Sequence, residues 1–264
     1  MRAVMLNAFL LASLMLPAAW AQPDNSEWLH ERREWQLEPP TDEAVRVENR
    51  WGDIRVRTHE QRQIYVLANI QRHQQDSRSM DLVLDEENPG LGITTYFPAD
   101  DKQPTPADWQ PRRIDLTVFV PATQRLALTT EHGLLEARGV QAALSARTEN
   151  GAINLRAKGA VDAESRYGEI QVFFLDSNWS SDSRLQTQTG SIEALFARGF
   201  DARVEFETHG QITTDFSVTI ERDQHEEYKT GYAKIGSAKQ KLTIKSDRGA
   251  IRLLSSAVPD SADQ

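Results

Sequence analysis

Apolar and polar residues alternate along most of this chain with a period of two, the mark of strands with one buried face. The alternation is sharpest at Ile114, Leu116, Val118 and Val120, just before Pro121. A glycine then punctuates it again and again: Gly52, Gly133, Gly151, Gly168, Gly190, Gly210 and Gly249. Two places after each stands Ile54, Leu135, Ile153, Ile170, Ile192, Ile212 or Ile251, and four places after stands Val56, Ala137, Leu155, Val172, Ala194, Thr214 or Leu253. Three places before are Asn49, Thr130, Thr148, Ser165, Thr187 and Ser246, with Glu207 the exception. Each unit reads strand, glycine turn, strand.

From Gly133 to Gly210 the glycines are 18, 17, 22 and 20 residues apart, room for two strands of about five or six residues and two corners. A second mark, Arg138-Gly139-Val140, Lys158-Gly159-Ala160 and Arg198-Gly199-Phe200, opens the other half of three units. One such unit cannot bury its apolar row alone, whereas coils stacked at roughly 4.8 Å can. The pattern therefore predicts an all-β fold: a single β-solenoid of short two-strand coils, with Ile153, Ile170 and Ile192 in one column. A β-sandwich also fits alternating strands, but its turns have no reason to repeat Thr-x-x-Gly-x-Ile. In the Gly210 unit, Val204, Phe206 and Thr208 sit one place closer to the glycine, which implies one missing turn residue.

Ahead of the regular coils lies an N-terminal β region. Residues 22–42 read as a tail with one edge strand in which Trp35 and Leu37 share a face, and Glu43 to Val56 reads as a hairpin or corner. Strands follow at Ile64–Ile70, Leu82–Leu84 and Leu91–Phe97, then a proline-rich loop over 98–111. Phe216, Val218 and Ile220 predict a strand, and Glu221 to Tyr228 a charged loop. The Gly249 unit is expected as a C-terminal capping coil, because open strand edges invite aggregation. The domain spans 43–254, and 255–264 is expected to be a disordered tail.

Met1-Arg2, an apolar run from Ala3 to Leu16 and Ala19-Trp20-Ala21 form a cleavable signal peptide over residues 1–21. At about fourteen residues the run is short of the roughly 20 needed to span a bilayer. Export points to the periplasm or the cell exterior, with no membrane span after cleavage. The absence of cysteine leaves stability to packing and backbone pairing. The formal charge of −9 opposes phosphate attraction, so nucleic acid is not an expected partner.

Taken together, Ile114 to Pro121, the Thr-x-x-Gly-x-Ile coils and the closing Gly236 to Leu253 resemble the adhesin-like β-solenoid family of bacterial envelope proteins, a domain of unknown function. The resemblance covers 43–254 and implies an exported right-handed solenoid. It brings no catalytic residues and no cofactor.

The chain carries no Gly-x-Ser-x-Gly elbow, and His30-Glu31 and His225-Glu226 lack a second histidine at plus four. Gly231 to Gly236 copies the spacing of a phosphate loop, but Ser237 stands where lysine is required, so it is read as a turn. His132 and His209 each precede a unit glycine, too many coils apart to share a metal. Glu136, Asn154, Gln171, Glu193 and Thr213, at plus three, should point outward together. Their two carboxylates are three coils apart, beyond the roughly 5–10 Å of a glycosidase pair. Trp179, in Asn178-Trp179-Ser180, is a candidate sugar contact if exposed. The sharpest charge feature is Lys229, Lys234, Lys239, Lys241, Lys245, Arg248 and Arg252 against Asp247 alone, a local +6 over residues 228–252. It suggests an anionic envelope partner, glycan or lipid headgroup. No catalytic, metal or cofactor residue is assigned. The expected function is a non-catalytic binding or scaffolding surface; the alternatives are a polysaccharide lyase or glycosidase, and an accessory protein of envelope-stress signalling.

Overall fold

The computed structural model describes residues 27–74, 79–85, 90–98, 112–221 and 228–256. Residues 1–26 (the expected signal peptide among them), most of the 98–111 loop, the centre of the 221–228 loop and the tail from 257 lie outside the described residues. Strand β1 (Trp28–Leu37) is followed by β2 (Val45–Trp51), β3 (Ile54–His59), β4 (Ile64–His73), β5 (Asp81–Asp85), β6 (Leu91–Tyr96) and β7 (Arg112–Pro121). The regular coils are β8 (Leu126–His132) with β9 (Leu135–Val140), β10 (Leu144–Asn150) with β11 (Ile153–Ala157), β12 (Val161–Tyr167) with β13 (Ile170–Phe174), and β14 (Ser183–Thr189) with β15 (Ile192–Phe196). Then come β16 (Ala202–Thr208), β17 (Ile212–Thr214), β18 (Val218–Glu221), β19 (Lys229–Ile235), β20 (Gln240–Ser246) and β21 (Ile251–Ser255).

In each unit the glycine corner sends the chain from one sheet to the other, so successive coils add one parallel strand to each. The first sheet runs β1-β4-β7-β3-β9-β11-β13-β15-β21-β17. The second runs β18-β19-β16-β20-β14-β12-β10-β8-β2-β6-β5. Ile153, Ile170, Ile192 and Ile251 stand in one register column, continued by Leu135 and Ile54 on one side and Ile212 on the other. Every member but the partly buried Ile212 is fully or almost fully buried. Each buried side chain stabilises the stack by roughly 1.5–3 kcal/mol.

The spatial order departs from the chain order at both ends. The coil of β20 and β21 does not cap the stack: it is seated between β14/β15 and β16/β17. At the opposite end β2 and β3 lie between β6/β7 and β8/β9, so the N-terminal β region is part of the same stack. The repeat could not announce this, because each coil presents nearly the same apolar rows to either neighbour.

Beneath the apolar columns runs a buried polar one: Thr95, Asn49, Thr130, Thr148, Ser165, Thr187, Ser246 and Thr208. Five of them bond to the carbonyls of the glycine corner, while Thr95 donates to Asn49 Oδ1 at 2.8 Å and the buried Thr148 hydroxyl has no hydrogen-bond partner among the described residues. Thr130 donates to Gly52 O at 3.3 Å, Ser165 to Gly151 O at 3.1 Å, Thr187 to Gly168 O at 3.1 Å, Ser246 to Gly190 O at 2.9 Å and Thr208 to Gly249 O at 2.7 Å. Thr208, one place closer to its glycine, takes the role expected three places before. The series ends in Lys229 Nζ on Gly210 O at 2.7 Å and begins with Asn49 Nδ2 on Ile114 O at 2.7 Å. Glycine is required because a Cβ at Gly151 would strike Gly133 O, and one at Gly249 would strike Gly190 O. Neither of those two has positive φ, so close approach of coils, and not backbone strain, excludes larger residues there.

Antiparallel strands close the ends. β1 and β4 cover one, where Trp35, Leu37, Leu82 and Leu84 pack on the core and Arg33 bridges to Asp81 of the other sheet at 2.6 Å. The hairpin β18–β19 covers β16 at the other end, with Phe216 and Val218 against the core. Gly231 lies within β19, opposite Phe206, so residues 231–235 are strand and the expected turn is confined to Gly236, whose φ is 63°.

Candidate functional site

The coil geometry sorts outward side chains into rows parallel to the stack axis. On the first sheet the plus-three row places Arg55, Glu136, Asn154, Gln171, Glu193 and Arg252 in register. Its carboxylates are engaged: Gln171 Nε2 donates to Glu193 at 2.6 Å and Arg252 lies 3.5 Å from it. Glu136, with only 12% of its side chain exposed, is 2.7 Å from both Arg57 and Arg138. The neighbouring plus-five row is Arg57, Arg138, Arg156, Phe173, Leu195 and Leu254. Arg156 lies over the Phe173 ring at 5.1 Å.

Ion pairs on the second sheet link neighbouring strands. Asp162 takes Arg147 at 2.6 Å and Arg184 at 3.0 Å. Glu205 takes Lys241 and Arg203, both at 2.9 Å, and Glu207 takes Lys245 at 2.8 Å. A groove of ≈ 290 Å³ lies here, lined in part by Tyr232, Thr243, Glu205 and Glu207, with the Arg203 guanidinium 3.9 Å over the Tyr232 ring. Hydrogen bonds from Lys241 and then Arg203 hold the Glu205 carboxyl below its ordinary range. A general acid for glycoside cleavage needs the opposite shift.

The basic run of 228–252 is dispersed. Lys241 and Lys245 stand on the second sheet with β16 glutamates, Arg252 on the first sheet beside Glu193, and Lys229 ends the carbonyl column. His132 and His209 are five coils apart in the interleaved order, about 24 Å at the strand spacing. His209 packs on Tyr228 with ring centroids 3.6 Å apart, its Nδ1 2.7 Å from Asp247 O. Trp179 is 6% exposed among Phe174, Phe196 and Phe200, so it is a corner-packing residue and not a sugar contact. No group of three metal-ligating side chains converges among the described residues. The plus-five arginines went unread in the sequence, although counting one position further along the repeat would have aligned them.

Residues 42–254 match the Toastrack DUF4097 family. The chain belongs to that family. Toastrack is a domain of unknown function, and its all-β, solenoid-like fold agrees with the two sheets described above. No curated protein matches the chain significantly. Among solved structures, a "putative cell adhesion protein" from Clostridium sporogenes ATCC 15579 is similar at 10% identity and a TM-score of 0.47, covering 86% of this chain and 100% of that one. A "putative adhesin" from Bacteroides fragilis NCTC 9343 is similar at 10% identity and a TM-score of 0.30, covering 86% and 97%.

Proposed function

We propose that this Toastrack chain is an exported, adhesin-like binding or scaffolding protein of the bacterial envelope, working without covalent chemistry. It is read as a right-handed solenoid, in keeping with the strong preference of parallel crossover connections for that hand. The observation that carries the proposal is the pair of broad outer faces, on which side chains stand in registered rows and carboxylates such as Glu136, Asp162, Glu205 and Glu207 are taken up in ion pairs. The leader-like residues 1–21 support export to the periplasm or beyond. An anionic glycan or a lipid headgroup is the partner class that the exposed arginines and lysines suit. A polysaccharide-cleaving reading finds less support, since Glu205 is shifted the wrong way for a general acid.

The test is to incubate purified residues 22–264 with isolated cell envelopes and with their extracted polysaccharides. Co-sedimentation with the envelopes, without release of new reducing ends, is expected. Chain cleavage, or failure to sediment, would overturn the proposal.

A further inference from the structure

We infer that the row formed by Arg57, Arg138 and Arg156 is a binding site for an extended polysaccharide that bears carboxylates, a polyuronate in chemical class. This rests on the proposed binding function and names its ligand and place. The three arginines occupy the same outward position on the adjacent parallel strands β3, β9 and β11. Strand spacing puts them about 4.8 Å apart along the axis of the stack. A linear row of cations on a rigid sheet matches a linear chain of anions, and the ordering entropy of the protein side has already been met by folding.

Glu136 prepares the row. Its carboxylate sits low between Arg57 and Arg138 at 2.7 Å from each, and Arg55 Nε is 4.0 Å away. Two guanidinium groups thus share one carboxylate and leave an excess positive charge. Arg138, 64% exposed, keeps most of its donors toward solvent. On the second sheet Arg147 and Arg184 face both Asp162 and Glu164, Lys245 has Glu207, and Lys241 shares Glu205 with Arg203. The excess beside Glu136 arises on a chain of formal charge −9.

The ends of the row bear on the ligand class. Phe119 pairs with Arg57 on one side, and Phe173 lies beside Arg156 on the other. Guanidinium forks bind carboxylates bidentately, while flat aromatic rings accept the C–H faces of sugar rings. Alternating ring and carboxylate recognition is what a polyuronate presents. A lipid surface fits less well, because interfacial helices seat exposed apolar side chains about 5–10 Å into the headgroup boundary, and Phe173, Leu195 and Leu254 here are half-buried.

The experiment measures binding of fluorescent oligogalacturonate to residues 22–264 at low salt, with neutral dextran and phosphatidylglycerol vesicles as parallel probes. The variants are Arg57→Gln/Arg138→Gln/Arg156→Gln, the exposed Arg138→Gln alone in case the triple variant fails to fold, and Arg147→Gln/Arg184→Gln/Lys241→Gln, which removes equal charge from the second sheet. Expected are binding that weakens with salt, a loss of about tenfold or more in the triple variant, a smaller loss in Arg138→Gln, and a change under about twofold in the second-sheet variant. Equal losses in both triple variants, no loss in Arg138→Gln, or tighter binding to vesicles would overturn the site. If the wild type sediments with envelopes yet ignores oligogalacturonate, this assignment fails and the proposed function stands. If it binds neither, both fail.

Discussion

Replacing Gly151 by alanine tests the mechanics of the whole stack. The added Cβ would meet the carbonyl of Gly133, a backbone group with no freedom to swing aside. The coils must separate locally, and the ladder bonds nearest the clash, Gly133 N to Asn150 O at 3.1 Å and Leu135 N to Ala152 O at 3.0 Å, are stretched or broken. Two such bonds are worth about 2 kcal/mol net, and overpacking adds about 2 kcal/mol. Against this stands about 0.4–1 kcal/mol that alanine gains over glycine by restricting the unfolded chain, leaving a loss near 3 kcal/mol. Gly199 is the control: a Cβ there meets nothing within 4 Å, and only its φ of 84° opposes alanine, at a cost of about 1 kcal/mol. Urea unfolding followed by far-ultraviolet circular dichroism, with midpoints compared at equal slope, reads the difference. If Gly151→Ala cost no more than Gly199→Ala, coil-to-coil contact would not be the reason for the repeat.

Deleting residues 240–264 is expected to do more than trim an end. β16 and β17 lose their parallel neighbours β20 and β21, so hydrogen-exchange protection should collapse in β16, β17 and β19 while 126–174 keep theirs; retained protection in those three strands would contradict the interleaved order. Trp179→Ala should destabilise by about 3–5 kcal/mol, because the indole is enclosed by Phe174 and Phe200 and its Nε1 donates to Asp176 O at 3.0 Å. A loss below about 1 kcal/mol in thermal or urea melts would place that ring in solvent instead. For Glu205, depressed by Lys241 and Arg203, the stabilisation is present above the ordinary carboxylate range and is lost as pH falls through the lowered value. Glu205→Gln should therefore be less stable than wild type at pH 7 and should approach it near pH 3; a pH-independent gap in melting temperature would refute the assignment.

Much was legible before any coordinates, because alternation and a corner residue are local properties. Which face of each strand is buried and where Gly151 and Ile153 fall in a coil follow from positions two or three apart. The placement of Gly231 was not legible, since a strand glycine opposite Phe206 looks the same in sequence as a turn glycine.

Coil order, and with it the neighbours of every outward charge, was settled only in three dimensions. Parallel coils with equivalent apolar rows can stack in any sequence order, so the 240–255 segment bears no local sign that it lies inside the stack and not at its end. That insertion sets Lys241 and Lys245 against Glu205 and Glu207 and disperses a basic run that looks continuous along the chain. The same registration lines up Arg57 with Arg138 across 81 residues. Backbone pairing acts at strand spacing whatever the length of chain between, and for that reason the surface belongs to the tertiary structure while the core pattern belongs to the sequence.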